Sequence, residues 1–316
     1  MPTSMSDKIF LRIQKAALKS HGLIPPNAPA SGIFWDEHFF EVAGTGLYQM
    51  FTHEQRQDFL TQMSSDILAE ACSIETAGLT YAAKMNLSSR NTDEKIMYSL
   101  IGTEEALHLK SLEPFLAVDV NLDIPSFAGL IHHWIDKLDR PSLLVMIQIL
   151  LEGWGLAYYQ SLAQNCRNPQ LQSVFQQILL DETRHHATGV ILYRHEILKA
   201  PERQNLEQEL ATLFSCVQSG PQQVLLALAT TSGDRNIDFA KLLTEMDAVN
   251  QCQAKLNKLR RLLEKTGDPR MISAALAKDL FQAYPLDQMA LYAQSEYEQT
   301  LRNLQPSRAS KLDISL

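Results

Sequence analysis

Asp181-Glu182-Thr183-Arg184-His185 lies inside an apolar-periodic segment that runs from Leu171 to Leu198. Glu182 and His185 are three residues apart, so on a helix they share one face. Their neighbours on that face, Phe175, Ile178, Leu179, Gly189 and Leu192, are apolar or small, which places the face in a core. A carboxylate and an imidazole in a core need partners there, because an unpaired buried charge is costly. A single Glu-x-x-His is a weak signal, since surface helices carry such pairs by chance. Its weight depends on whether the rest of the chain supplies partners.

The partners are present. Glu105-Ala106-Leu107-His108 is a second Glu-x-x-His. Glu75 opens the run Glu75-Thr76-Ala77-Gly78-Leu79-Thr80-Tyr81, and Glu152 opens Glu152-Gly153-Trp154-Gly155-Leu156-Ala157-Tyr158. Four of the seven positions in these runs are identical, at an offset of 77 residues. The same offset carries Glu105 onto Glu182 and His108 onto His185. Each half is thus a lone Glu followed, thirty residues on, by Glu-x-x-His, and the chain reads as an internal repeat of two helical hairpins. His186 is also in helical register with Glu182, but Leu109 stands at the matching place in the first half, so the repeat selects His185.

Composition bounds the fold. With 316 residues and 45% hydrophobic content the chain can bury a full core, as one large domain or two small ones. Glycine is sparse and β-branched runs are few, which points to an all-α chain. The net charge of -8 and the lack of a basic stripe argue against nucleic acid as a partner. Cys72, Cys166, Cys216 and Cys252 are scattered without a pairing motif, as expected in a reducing compartment. There is no signal-peptide core at the N-terminus and no uncharged apolar run of membrane-spanning length, so the expected location is cytoplasmic.

Three regions follow along the chain. Residues 1–51 hold an amphipathic helix near Ile9–Leu18, then a Pro- and Gly-rich segment from His21 to Tyr48 expected to wrap the domain and bury Phe34, Trp35, Phe39 and Phe40. Asp36, Glu37 and His38 in that segment suit a cap or loop contact better than a joint site. Residues 52–200 hold the four core helices. Thr52 and Gln55 form a capping box for the first, which runs to about Met85. Thr92 caps the second, which stops near Pro114, and a loop covers Ala117 to Asp123. Pro125 starts a short helix that carries His132 and His133, expected in core or surface roles. The third core helix runs from about Pro141 to Cys166 and the fourth from Gln170 to Lys199. Glu70 lies off the Glu75 face and is expected to be solvated or to support the site from outside. Residues 201–316 are helical again, with one long helix expected over Asp238–Lys265 and a frayed tail at the end. Three roles stay open for this region: covering the bundle, a dimer contact, or a partner surface.

Four helices, two with a lone Glu and two with Glu-x-x-His, form the ligand pattern of a bundle holding two metals. Four carboxylates, Glu75, Glu105, Glu152 and Glu182, balance two divalent cations, and His108 and His185 complete the set as neutral imidazoles. Without metal the carboxylates would repel one another and take up protons. Hard oxygen donors with imidazole suit Fe or Mn, and the lack of a ligating Cys argues against a thiolate zinc site.

With these residues the segment from Thr52 to Leu198 resembles the ferritin-like diiron-carboxylate superfamily. Glu104-Glu105-Ala106-Leu107-His108 and Asp181-Glu182-Thr183-Arg184-His185 are similar to the paired motifs of soluble fatty-acyl desaturases and bacterial multicomponent hydroxylases. The resemblance implies a ferritin-like four-helix bundle with an additional N-terminal segment and C-terminal helices. It also implies that Asp181 orients His108 across the bundle, that Glu104 does the same for His185, and that Arg184 steadies the acidic network. Leu107 stands where an arginine is often found in the relatives.

The expected function is a non-haem diiron oxidase or oxygenase that uses two Fe ions, with Mn as the alternative, and O₂ to oxidise a small apolar or amphipathic substrate. An oxygenase needs an external reductant, so an electron-donor protein is an expected partner. The alternatives are a dimanganese or diiron peroxide-handling protein, an iron-oxidising ferritin-like protein, and a metal-stabilised structural or interaction protein. Gly78 and Gly155, three residues beyond the lone ligands, are candidates for opening space or for tighter packing. Tyr81 and Tyr158 are candidates for a relay or a hydrogen-bonded rim.

Overall fold

The computed structural model describes residues 5–20, 32–116 and 127–304. The expected loop over 117–123, the helix start at Pro125, the first part of the wrapping segment and the C-terminal tail lie outside them. Among the described residues every regular element is helical. In chain order they are α1 (Met5–Ser20), α2 (Gly46–Gln49), α3 (His53–Leu87), α4 (Thr92–Leu112) and α5 (Phe127–Lys137). One continuous helix, Arg140–Asn165, follows. Its first turn is α6 (Arg140–Leu143), its middle is π-helical over Leu144–Glu152, and its last part is α7 (Gly153–Asn165). Then come α8 (Pro169–Tyr193), α9 (Ala200–Gln218), α10 (Gln222–Ser232), α11 (Phe239–Glu245), α12 (Ala248–Glu264), α13 (Pro269–Ala277) and α14 (Leu286–Leu304).

The chain divides into two compact units, and the division falls inside α3, α9, α12 and the first turn of α13. The first comprises residues 1–35, 64–209 and 262–269. It contains α3 from Ser64 onward, α4, the Arg140–Asn165 helix and α8, which form a ferritin-like four-helix bundle. The second comprises residues 36–63, 210–261 and 270–316.

In the first unit each helix start is chemically marked. Asn91 Oδ1 accepts the Glu94 N–H at 2.9 Å, so Asn91, rather than Thr92, caps α4. Asp139 accepts the Ser142 N–H at 3.0 Å. Asn168 accepts from Gln170 and Leu171 at 2.9 and 3.1 Å, ahead of Pro169 in the first helical turn. These contacts satisfy amide groups that a helix start leaves free. The Arg140–Asn165 helix is long and apolar enough, by length and composition, to cross a membrane, and most of that apolar stretch is buried inside the protein. Phe34 and Trp35 are buried in this unit, and the Trp35 indole donates to the Leu162 carbonyl at 3.0 Å.

The fourth core helix is shorter than its periodicity suggests. It ends at Tyr193 rather than Lys199 because Arg140 and Arg90 both bond the Glu196 carboxylate, and Arg90 also takes the His195 carbonyl. The chain at 195–196 is therefore held by arginines instead of continuing the helical ladder.

Gly189 sets how closely α8 approaches the π-helical segment. A Cβ there would lie 2.2 Å from Gln148 Cβ, an atom fixed to the backbone. Gly189→Ala is expected to force the helices apart and to destabilise the protein by about 1–3 kcal/mol, as overpacking does. Denaturant titration of the metal-free variant measures it.

In the second unit the Thr52–Gln55 capping box forms, with reciprocal bonds of 3.0 and 3.2 Å. Phe40, Tyr48, Phe51 and Phe59 pack edge to face around the start of α3. Asp36 accepts the amides of His38 and Phe39, so the acidic cluster there caps a turn. The long helix expected over Asp238–Lys265 is broken into α11 and α12 at Asp247, which adopts φ 51°. Aspartate tolerates this left-handed conformation better than most side chains. Tyr297 in α14 is buried and donates to the Asp234 carbonyl at 2.7 Å.

Candidate metal centre

The bundle brings all six candidate ligands together. Oxygen or nitrogen atoms of Glu75, Glu105, His108 and Glu182 lie within 4.8 Å of one another, and so do those of Glu152, Glu182 and His185. Glu182 belongs to both groups. Glu105 and Glu182 stand between the two imidazoles: Glu105 lies 3.8 Å from His108 Nδ1 and 3.4 Å from His185 Nδ1, and Glu182 lies 3.9 and 3.4 Å from the same atoms. Glu75 and Glu152 sit at the two ends. Glu75 Oε2 is 3.0 Å from His108 Nδ1.

The far side of each ring is held by a carboxylate from the opposite half of the repeat. His108 Nε2 bonds Asp181 at 3.0 Å, and His185 Nε2 bonds Glu104 at 2.7 Å. Arg184 bonds both of these carboxylates, Glu104 at 2.7 Å and Asp181 within its own helix, and Gln177 also donates to Asp181. A proton on Nε2 directed at a carboxylate leaves Nδ1 as the lone-pair donor of a neutral imidazole, which is how outer contacts orient metal-ligating histidines. Both Nδ1 atoms face the glutamates.

The electrostatics reflect six acids crowded around two buried rings. Burial, then the charge of Glu75, raises the Glu105 pKa. Burial, then the charge of Glu182, raises Glu152 well above the ordinary carboxylate range. Burial, then the charge of Glu105, raises Glu182. For His108 burial pulls the pKa down, but Glu75, Asp181 and Glu105 outweigh it and hold the ring well above its ordinary value. Burial likewise opposes and Glu104, Glu105 and Glu182 together raise His185. Asp181 is lowered despite burial, by its bonds to His108, Gln177 and Arg184. Without cations the cluster holds protons where cations would serve.

Two atoms test the fit to a metal pair. His185 Nδ1 is buried and has no hydrogen-bond partner among the described residues, although two carboxylate oxygens lie 3.4 Å from it. Glu152 is partly exposed as a residue, yet its Oε2 is also sealed from solvent without a partner. Buried polar atoms are almost always bonded, so an unpaired nitrogen facing a cluster of carboxyl groups indicates a place for a cation. The donors are carboxylate oxygen and imidazole nitrogen, matching hard or borderline divalent metals.

The two repeat-related glycines differ. A Cβ at Gly78 would lie 2.6 Å from the Glu105 carboxylate, so its lack of a side chain makes room for a ligand. At Gly155 a Cβ would meet nothing within 4 Å among the described residues. His186 turns away from the cluster, its Nδ1 bonding the Gln148 carbonyl at 2.8 Å and its Nε2 facing Lys265 at 3.0 Å. His132 and His133 are exposed, and Glu70 is half-buried with its pKa raised by burial.

Three residues absent from the sequence reading join the site. Tyr159 donates its hydroxyl to Glu75 Oε1 at 2.6 Å. Gln148, fully buried in the π-helical segment, accepts the hydroxyls of Tyr81 and Tyr98 at 2.9 Å each and donates to the His185 carbonyl at 2.8 Å. Tyr98 is buried beside Tyr81 with ring centroids 6.3 Å apart. A glutamine in an otherwise apolar run, Leu143–Leu151, is the sequence signal that could have found this network. π-helical turns recur at functional sites because they redirect side chains that an α-helix would aim elsewhere.

No protein-family model, curated protein or solved structure matches the chain. The bundle and its two carboxylate–imidazole clusters are consistent with a ferritin-like diiron-carboxylate site.

Proposed function

We propose that the protein is a dimetal oxidoreductase that uses O₂ to oxidise a small apolar or amphipathic molecule. The observation that carries this reading is the unpaired His185 Nδ1 among the carboxylates of Glu105, Glu152 and Glu182, inside an otherwise apolar bundle. Glu75, Glu105, Glu152, Glu182, His108 and His185 would hold two iron or manganese ions. When bound and reduced, such a metal pair would supply electrons to O₂, which no side chain of the cluster does.

The chain's own residues do the rest. Asp181 and Glu104 hold the Nε2 protons of His108 and His185, which directs both Nδ1 lone pairs inward. Arg184 fixes the two carboxylates in place from the bundle surface. The apolar core residues of the Arg140–Asn165 helix keep water away from the reacting centre.

Metal content of protein purified without added metal, followed by anaerobic Fe(II) loading and exposure to O₂, tests the proposal. About two ions per chain, as expected for a six-ligand bundle site, with O₂ uptake and an optical change support it. Retained manganese with a ferrous form inert to O₂ would redirect the reading to peroxide chemistry.

A further inference from the structure

We infer that Tyr159 makes the two halves of the site unequal, clamping the Glu75 position while leaving the Glu152 position without a matching clamp. The inference rests on the dimetal reading above and concerns how the chain itself breaks its own symmetry.

The sequence repeat predicts two equivalent metal positions, but the structure does not build them alike. On one side Glu75 is almost fully buried. Its Oε1 accepts the Tyr159 hydroxyl at 2.6 Å, and its Oε2 lies 3.0 Å from His108 Nδ1. One oxygen is tied back and the other is presented to the centre. The tyrosine is itself held, its ring stacked on Phe175 at 5.9 Å and 29°. Four donors converge here: Glu75, Glu105, His108 and Glu182.

On the other side the repeat places Ala82 where Tyr159 would have its counterpart, so the matching position offers no hydroxyl to Glu152. Glu152 Oε2 and His185 Nδ1 are both without hydrogen-bond partners among the described residues. Three donors converge instead of four. Glu152 is the last residue of the π-helical segment. One turn on, Gly155 has no neighbour within 4 Å of a Cβ among the described residues, whereas Gly78 is closed off by Glu105. The ordered position is preorganised for a cation before one arrives. The other must order Glu152 on binding, which weakens it. Tyr159 is thus a positioning residue, acting through Glu75.

Stepwise titration of the metal-free full chain with Co(II) alone, followed by calorimetry and by the d–d absorption of each ion, tests the inference. The wild type is expected to bind in two steps, the first at least about tenfold tighter. Tyr159→Phe keeps the ring and its stacking but removes the hydroxyl, and should weaken the first step by about 10–100-fold, the range for losing a bond that orients a ligand, while leaving the second unmoved. Glu152→Gln should remove only the weak step. It serves even if Tyr159→Phe does not fold, because loss of the tight step in Glu152→Gln overturns the assignment. Tyr158→Phe, whose hydroxyl touches no ligand, should leave both steps unaltered. Two equal steps in the wild type, or a Tyr159→Phe protein with an unchanged first step, overturn the inference and leave the dimetal reading standing. No Co(II) binding at all overturns both.

Discussion

Glu182→Ala is expected to abolish binding of both metal ions, whereas Glu152→Ala should remove one. Among the described residues Glu182 is the one donor common to the two converging groups, and like Glu105 it stands between the imidazoles, 3.9 Å from His108 Nδ1 and 3.4 Å from His185 Nδ1. Removing an outer contact of a ligand costs about 10–100-fold in metal affinity, so losing a carboxylate shared by both positions should exceed about 100-fold. The effect on the metal-free protein runs the other way. Burial and the charge of Glu105 raise the Glu182 pKa, which means that the folded chain accommodates its ionised form poorly. Deleting it relieves that repulsion and offsets part of the cavity left behind. Metal-free variant and metal-free wild type should therefore unfold at similar denaturant concentrations. In the presence of metal the wild type should gain stability and the variant should not. At a free metal concentration near 100 times Kd that gain is about 2.7 kcal/mol for each ion. Metal analysis by mass spectrometry and paired unfolding curves check both halves. A Glu182→Ala protein that keeps one ion at wild-type affinity would show that Glu182 is not shared.

The second large effect is in pH. The metal-free protein should lose stability as pH rises above about 6.5, the ordinary histidine value, and added metal should restore it increasingly over the same range. His108 and His185 have folded pKa values above their unfolded ones. A raised group contributes stability that is complete below its unfolded pKa and is lost as pH rises through the folded one. Glu105, Glu152 and Glu182 are also raised, so their contributions have the same sign and are complete only below about 4.3, the ordinary glutamate value. Asp181 and Glu104 are lowered, so theirs are present above about 4 and are lost in acid. The metal-free optimum should fall between these limits, at roughly pH 4 to 6.5. Cations compete with protons for the same atoms, so metal binding releases protons and tightens as pH rises. Thermal midpoints with and without metal at about pH 5.5, 7 and 8.5 measure the gap, in a window bracketing the histidine value. A metal-free midpoint that climbs steadily across that range would contradict the assigned protonation of the cluster.

The ligand pattern is legible in the sequence because helices are periodic. Glu-x-x-His puts two donors on one face, and the offset of 77 residues marks the same arrangement twice. Glu104 and Asp181 are counterparts at that offset, and the crossed pairs they form with His185 and His108 are the ones the family resemblance implies. Helix starts are also local: Thr52 and Asn168 cap within a few residues of the amides they satisfy, whereas α4 starts one residue earlier than Thr92 suggests, on Asn91, and Asp139 caps the third core helix without having stood out in the sequence.

Other features depend on residues far apart in the chain. The end of α8 depends on Arg90 and Arg140, both remote from Glu196 in sequence. The repeat singles out Tyr158, yet Tyr159 is the residue that reaches Glu75, and its reach spans 84 positions. Gln148 is turned toward Tyr81, Tyr98 and His185 from within a π-helical segment whose apolar run reads as an ordinary core helix. The sequence alone thus determined the all-helical class, the two hairpins and which carboxylates and imidazoles meet, since those follow from spacing along single helices. Only the tertiary structure decided that the two halves are unequal. The hydroxyl that clamps one glutamate and the unpartnered, buried oxygen of the other arise from packing between helices, to which periodicity within a helix is blind.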